Sequence, residues 1–355
     1  MSTTSWFSRA LLPWYREHAR ALPWRATKDP YLVWLSEVIL QQTRVDQGTA
    51  YWLRFADRFP TVQALAKASE DEVLKLWQGL GYYSRARNLL TAAGQVVADH
   101  DGRFPTDLAE LKGLKGVGDY TAAAVASICS ERPVAVVDGN VYRVLARVFG
   151  IDMPIDTSAG SAHFKELAGA LLDPKHPGDH NQAVMELGAL VCKPRDPACS
   201  ACPLAARCIA RRTDRIADLP VKAGRTKVRT RHFNYLDIRT GSGGIWFQQR
   251  SGRDIWRGLY ELPLLESEGP LTERRVVARL SEQMGPGWVV EGVHGPVKHL
   301  LSHQRILARF WKLTPPRDLG TPEHWTLVSR TGIDALAVPR LIERYLTEHP
   351  GPIGA

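Results

Sequence analysis

The stretch Leu111-Lys-Gly-Leu-Lys-Gly-Val-Gly118-Asp-Tyr-Thr121 is a glycine-rich turn between two segments of helical periodicity. Glycines allow a tight reversal and leave several backbone N–H groups pointing outward, and the helix that follows presents its positive dipole end there. Gly116 and Gly118 are therefore candidates to hold a phosphate, with a plain helix connection as the alternative. Outward from the turn, Ser5 to about Arg212 is almost continuously helical. Asp29 and Pro30 supply an N-cap and first helical position for a helix to about Gln41, and Ser69-x-x-Glu72 forms a capping box. Further apolar stripes at helical spacing fit about 46–58, 84–99, 119–130, 140–149, 161–172 and 180–191. Short turns with Gly or Pro separate them, so residues 1–212 are expected to form an all-helical domain, with a helix–hairpin–helix near 108–130.

Residues 213–230 are charged and weakly periodic, with Pro220 and Gly224, and are expected to be an interdomain linker. The pattern then becomes mixed α and β over 231–355. Arg231–Arg239 and Ile245–Arg250 are strand-like runs around Gly241-Ser-Gly-Gly244, which signals a hairpin. A third strand fits Arg305–Leu313, and a closing helix begins near Pro339 with Leu341, Ile342 and Leu346 on one face. The 355 residues have an ordinary globular composition, which excludes disordered and fibrous classes. No apolar run approaches the ~20 residues needed to span a bilayer, and Met1–Arg9 lacks signal-peptide order, so a soluble, cytoplasmic protein is expected. Lys plus Arg is 46 against 37 Asp plus Glu, a net charge of +9 that fits a polyanionic partner or simply a solvated basic surface.

Four of the five cysteines fall within seventeen residues, as Cys192-x6-Cys199-x2-Cys202-x5-Cys208. Four thiolates on a short, proline-punctuated loop can close around one metal centre, and the spacing leaves a [4Fe-4S] cluster and a tetrahedral zinc equally open. Four protein ligands leave no open coordination site, so the role is structural, and the closed loop presents Lys193, Arg195, Arg207 and Arg211. Cys129 lies in an apolar helical stretch and is expected in the core. Two carboxylates remain. Asp138, in Val136-Val-Asp-Gly-Asn140-Val-Tyr-Arg143, taken alone is an N-cap, and Glu37, within Trp34-Leu-Ser-Glu-Val-Ile-Leu, taken alone is a paired or edge residue.

Taken together, the hairpin turn, an Asp eighteen positions after Tyr120 and the four cysteines resemble the endonuclease III-like superfamily of base-excision DNA glycosylases. Within it, Ser36-Glu-Val-Ile-Leu-Gln-Gln-Thr43, Gly79-Leu-Gly-Tyr-Tyr-Ser-Arg-Ala-Arg-Asn88 and Val137-Asp-Gly-Asn-Val-Tyr-Arg143 resemble the MutY-type adenine DNA glycosylases. The resemblance runs through residues 5–212 and continues more sparsely beyond. It implies a monomeric, nucleoid-associated enzyme of bacterial type with one [4Fe-4S] cluster on Cys192, Cys199, Cys202 and Cys208. The implied substrate is double-stranded DNA with adenine paired to 8-oxoguanine or guanine, the adenosine being flipped out of the duplex. Adenine leaves poorly as an anion, so a carboxyl kept protonated by an apolar setting would protonate N7, and the resemblance gives that role to Glu37. Asp138 would serve the oxocarbenium-like sugar either as electrostatic partner or as transient nucleophile. Tyr120 and Asn140 would position these groups, and Trp24 and Gln182 would line the adenine pocket. Tyr82 would intercalate and Gln42 would probe the gap.

In bifunctional relatives a lysine occupies the place of Tyr120, and a phenol forms no imine, which implies a monofunctional enzyme using water. Lys115 stands where the family usually has proline. The C-terminal part resembles a MutT (Nudix)-like domain through Trp256-Arg-Gly-Leu-Tyr-Glu-Leu-Pro263, but Val276–Gly285 offers only Glu282 where hydrolases carry a glutamate-rich helix. Recognition of 8-oxoguanine without hydrolysis is therefore expected, through Ser302 and His303, with Leu301 in place of the family's phenylalanine. The competing readings are a glycosylase/lyase acting on oxidised pyrimidines, a non-catalytic iron–sulfur DNA-binding protein, and a nucleotide hydrolase.

Overall fold

Among the described residues, twelve α-helices follow one another before any strand appears. In the computed structural model, which describes residues 3–224, 228–241, 243–320 and 322–350, they begin with α1 (Thr3–His18), α2 (Pro30–Leu40), α3 (Val45–Arg58), α4 (Val62–Ala66), α5 (Glu70–Trp77) and α6 (Ser84–Asp99). They continue with α7 (Leu108–Gly113), α8 (Asp119–Ser130), α9 (Gly139–Phe149), α10 (Ser158–Leu171), α11 (Pro177–Leu190) and α12 (Ile209–Arg212). The caps form as the local sequence dictates: Asp29 accepts from the Tyr31 amide, Ser69 from Glu72 and Asp138 from Asn140 and Val141. α1 carries Pro13 in its interior, which costs about 3 kcal/mol. The helix persists because Phe7, Leu11, Leu12, Trp14 and Tyr15 are buried, each contributing roughly 2 kcal/mol.

The chain divides into two compact units. One comprises the chain up to Lys67 together with Asn88–Gly224; its core joins α1, α9, α10 and α11 through Phe7, Leu11, Val144, Leu145, Phe164 and Leu187. In the same unit α2 packs against α3 and α8. The other unit comprises Ala68–Arg87 and the chain beyond Gly224. Its strands are β1 (Arg229–Ile238), β2 (Ile245–Gln249), β3 (Tyr260–Glu261) and β4 (Leu264–Ser267), then α13 (Glu273–Met284), β5 (Val289–Leu300), β6 (Gln304–Thr314), β7 (Trp325–Val328) and α14 (Arg340–Glu348). One sheet has the order β4-β1-β6-β5, with β1 and β6 parallel and the other pairs antiparallel, and the second has the order β3-β2-β7. The Tyr345 ring of α14 stacks on Phe310 of β6 at 3.8 Å. Residues 68–87 are tied to this unit by Lys75 Nζ to the Leu336 carbonyl (2.9 Å) and Gln78 Nε2 to Glu343 (3.1 Å).

Two expectations need correction. β1 and β2 do not form a hairpin ladder: β1 has strand partners on both edges, β2 belongs to the other sheet, and among the described residues a single bridge, Arg239–Ile245, joins them. The turn residue Ser242 lies outside the described residues. The stretch 213–230 is not an open linker in its first half. Ile216, Leu219 and Val221 pack on the helical core, and Asp156 accepts from the Ala223 and Gly224 amides. Residues 225–227 and 351–355 lie outside the described residues. Among the described residues no helix is long and apolar enough to cross a membrane.

α11 approaches α9 so closely that a Cβ on Gly188 would sit 2.6 Å from the Cβ of Asn140. Overpacking of this kind costs about 1–3 kcal/mol. Gly188→Ala is therefore expected to lower the urea unfolding midpoint without changing the slope of the transition; an unchanged midpoint would show that the two helices can part freely.

Candidate active site

α2 is buried nearly all round, with Trp34, Leu35 and Ile39 fully enclosed, and this is why a carboxylate on it finds itself dry. Glu37 is 8% exposed. Tyr120, in the first turn of α8, donates its hydroxyl to Glu37 Oε2 at 2.7 Å and also lies 3.6 Å from Met185 Sδ. Burial pushes the Glu37 carboxyl up to about 7; the Tyr120 bond and Arg25 oppose the rise, and the charge of Asp138 adds to it.

Asp138 caps α9. Its Oδ1 accepts from the amides of Asn140 (2.9 Å) and Val141 (2.8 Å), and its Oδ2 accepts from Asn140 Nδ2 (2.8 Å). Burial lifts this carboxyl too, against those three bonds and the nearby Arg143. With three donors at a helix N-terminus against one at Glu37, the anionic form of Asp138 is the better supported of the two carboxylates. Asn140 is itself held by Arg143, whose Nη2 donates to Asn140 Oδ1 (2.7 Å) and whose Nε donates to the Cys192 carbonyl (2.7 Å). A continuous path of hydrogen bonds thus runs from Asp138 to the first cysteine of the loop.

The structure also brings Trp24 and Gln182 to this part of the helical unit. Trp24 is buried, edge-on to Trp52 at 6.0 Å. Gln182 Oε1 accepts from Arg25 Nε (3.0 Å) and from the Tyr15 hydroxyl (3.2 Å). Gln42, just beyond α2, sits in the left-handed region at φ 57°. In the hairpin, Gly116 has φ 79°, and a Cβ there would lie 2.8 Å from Asn88 Cβ, so only glycine fits the turn between α7 and α8. Gly118 caps α8 without a side chain, leaving backbone N–H groups at that helix start.

Cys192, Cys199, Cys202 and Cys208 line one cavity together with Arg147 and Leu187. Arg147 Nη1 is 3.5 Å from Cys192 Sγ, and the Arg147 carbonyl is 3.4 Å from Cys208 Sγ. Among the described residues, no three His, Cys, Asp or Glu side chains converge tightly enough to hold a single ion.

The second unit collects its own candidates. Tyr82, 40% exposed, is left-handed at φ 48° and follows Gly81 at φ 73°. Its hydroxyl meets that of Ser302, and the two residues share a cavity of about 330 Å³ with Trp256, Leu301, His303 and Gln304. Left-handed non-glycine residues are uncommon and cluster at functional sites.

A helix–hairpin–helix base-excision DNA repair family (HhH-GPD) matches residues 35–168, and a Nudix domain family matches 234–348. An adenine DNA glycosylase from Mus musculus is 38% identical over 317 residues, covering 86% of this chain and 59% of its own length. One from Buchnera aphidicola of Schizaphis graminum is 32% identical over 263 residues, covering 74% of this chain and 76% of its own. The chain belongs to the adenine DNA glycosylase family. Across the mammalian and plant members of that family the match spans between 39% and 59% of the relative's length. Among solved structures, a thermostable thymine-DNA glycosylase is 28% identical with a TM-score of 0.55, covering 59% of this chain and 97% of its own. An endonuclease III in complex with DNA is 22% identical with a TM-score of 0.51, covering 60% and 99%, and shares the fold of the helical part.

Within this family member, Glu186, Arg20 and Arg25 escaped notice in the sequence. Glu186, 1% exposed, accepts two hydrogen bonds from each guanidinium, with Arg20 Nη2 at 2.6 Å and Arg25 Nη2 at 2.9 Å. Burial would raise its pKa, but the two arginines hold it near 2. Gln182 and Glu186 stand four apart on α11, so both meet Arg25 on one helix face, a spacing that could have flagged the pair.

Glu37 carries a measurable cost. Its folded pKa lies above its ordinary value of 4.5, so folding is favoured while it is protonated, and stability is lost as pH rises from about 4.5 through 7. Glu37→Gln does not titrate and should gain roughly 3 kcal/mol over the unaltered chain between pH 5 and pH 8 in urea unfolding. A constant difference across that range would mean Glu37 is ionised in the fold.

Proposed function

We propose that this chain is a monofunctional DNA glycosylase that removes adenine paired with 8-oxoguanine, or with guanine, from double-stranded DNA. The observation that carries this reading is a buried carboxyl poised near pH 7, hydrogen-bonded by Tyr120 and coupled to the charge of Asp138. Once adenosine is extruded, the Glu37 proton passes to adenine N7, the N-glycosidic electron pair leaves with the base, and an oxocarbenium-like sugar remains. Asp138, fixed by its three donors, stabilises that cation until water adds to it and gives its proton to the Glu37 carboxylate left by the first step. Asn140 and Tyr120 act as positioning residues, and Trp24 with Gln182 lines the adenine pocket. A phenol at position 120 offers no amine for an imine, so strand cleavage through a Schiff base has no nucleophile there.

Gly116 and Gly118 present backbone N–H groups to a DNA phosphate, and the net charge of +9 favours the polyanion. Tyr82 enters the duplex as a wedge, Gln42 probes the gap, and Ser302 and His303 contact the oxidised base. Cys192, Cys199, Cys202 and Cys208 would hold the [4Fe-4S] cluster. The four cysteines line one cavity, and the family membership favours the cluster over a tetrahedral zinc there. Bound there, the cluster supplies structural closure of a basic loop. The chain is taken to act as a monomer on nucleoid DNA in the cytoplasm, as expected for an enzyme of bacterial type.

Glu37→Gln and Asp138→Asn should each lower single-turnover excision opposite 8-oxoguanine by about 10²–10⁴-fold while duplex binding is kept, and borohydride should trap no protein–DNA adduct with the unaltered chain. Full activity in Glu37→Gln, or a trapped adduct, would contradict this chemistry. The purified protein should be brown and contain iron with acid-labile sulfide; a colourless protein with one zinc would refute the cluster.

A further inference from the structure

Besides the segment around Tyr82, the cavity that holds Ser302 and His303 has two walls from distant parts of the sequence, residues 254–256 and residues 300–304. One buried guanidinium bonds both. Arg231, 6% exposed at the start of β1, donates Nη1 and Nη2 to Asp254 Oδ1 (2.9 Å) and Oδ2 (2.6 Å), and Nη1 also to Gln304 Oε1 (3.0 Å). On its other side it grips Glu266 through Nε and Nη2, each at 2.6 Å. The backbone joins in: the Arg229 amide donates to the His303 carbonyl (3.0 Å), and the Leu301 amide donates to the Gln304 carbonyl (2.8 Å).

The first wall is held as firmly. Arg250 donates Nε to the Ile255 carbonyl (3.0 Å) and Nη2 to Asp254 Oδ2 (2.8 Å). Arg231 and Arg250 both lie over the Phe233 ring, at 4.8 and 5.5 Å, and Trp256 meets that ring edge-on at 6.2 Å. Trp256 is itself left-handed, at φ 59°, a conformation that persists only where the surroundings enforce it.

We infer that Arg231 is a specificity-determining positioning residue: through Asp254 and Gln304 it fixes the spacing between the Trp256 wall and the Ser302–His303 wall, and with it the discrimination between 8-oxoguanine and guanine. This rests on the assignment of the cavity to the oxidised base. The two bases differ only at C8 and N7, where 8-oxoguanine carries a carbonyl oxygen and an N–H. A hydroxyl such as Ser302 can tell them apart only if it is held within a few tenths of an ångström of those atoms. A planar fork that binds two carboxylates and an amide oxygen at once holds the walls in a way a single ammonium cannot.

The test measures affinity of the full chain for duplexes carrying non-cleavable 2′-fluoroadenosine opposite 8-oxoguanine or opposite guanine. Arg231→Met leaves Glu266 without its ion pair and Asp254 with Arg250 alone, and can fail to fold, so Gln304→Met, which cuts only the link to the second wall, is measured beside it. Both are expected to lower the 8-oxoguanine to guanine affinity ratio about tenfold with affinity for the guanine duplex held within twofold. Glu266→Gln, which loosens the guanidinium on the side away from the cavity, should leave the ratio within twofold. An unchanged ratio in Gln304→Met, or an equal fall in Glu266→Gln, would overturn the inference. Excision of adenine by the unaltered chain is read in parallel: its absence would sink the glycosylase assignment, while the affinity ratios still decide on Arg231.

Discussion

The chemistry proposed for the helical unit turns on keeping one proton on one buried carboxyl. Glu37 is placed on a helix with apolar contacts on almost every side, and the loss of water there outweighs the Tyr120 hydroxyl that favours its ionised form. A carboxyl left in water would be charged at neutral pH and could not donate. The folding cost of that burial is met by the rest of the helical core, where Phe7, Leu11, Phe164 and Leu187 bring α1, α10 and α11 together.

The second carboxylate depends on the first for its role and on the backbone for its charge. Asp138 receives three hydrogen bonds at the start of α9, and its charge adds to the rise that burial imposes on the Glu37 carboxyl. Behind it, Asn140, Arg143 and the Cys192 carbonyl form a line of donors and acceptors, so the orientation of the Asp138 carboxylate is mechanically joined to the cysteine loop. The close approach of α11 to α9 at Gly188 serves the same end, since Arg143 Nη2 also donates to the Gly188 carbonyl at 2.8 Å.

Most of the helical unit was legible because its signals are local. The Asp29 cap, the Ser69 capping box, the hairpin glycines and the 3.6-residue stripes each act over a few residues, and those helices begin and end within a few positions of where the sequence places them. The C-terminal unit was legible only in part. β1, β2 and β6 announce themselves by composition, whereas β3 and β4 are too short and β5 too exposed to do so. The pairing of β1 with β6 spans some seventy residues of chain, which no local pattern encodes, and the hairpin expectation failed for that reason. Of the site, Glu37 and Asp138 taken alone read as an edge residue and an N-cap; the family resemblance singles them out, and their coupling is tertiary. The Arg20–Arg25–Glu186 cluster and the Arg231 cluster, assembled from distant segments, were invisible without the fold.

The ionisation of Glu37 in the folded, DNA-free protein can be followed by carboxyl carbon NMR of a ¹³C-glutamate-labelled chain, with Glu37→Gln assigning the resonance. The account predicts a midpoint close to pH 7, well separated from the solvent-exposed glutamates. A midpoint near 4.5 would mean the carboxyl is already an anion at neutral pH, and the proton that adenine requires would have to come from elsewhere.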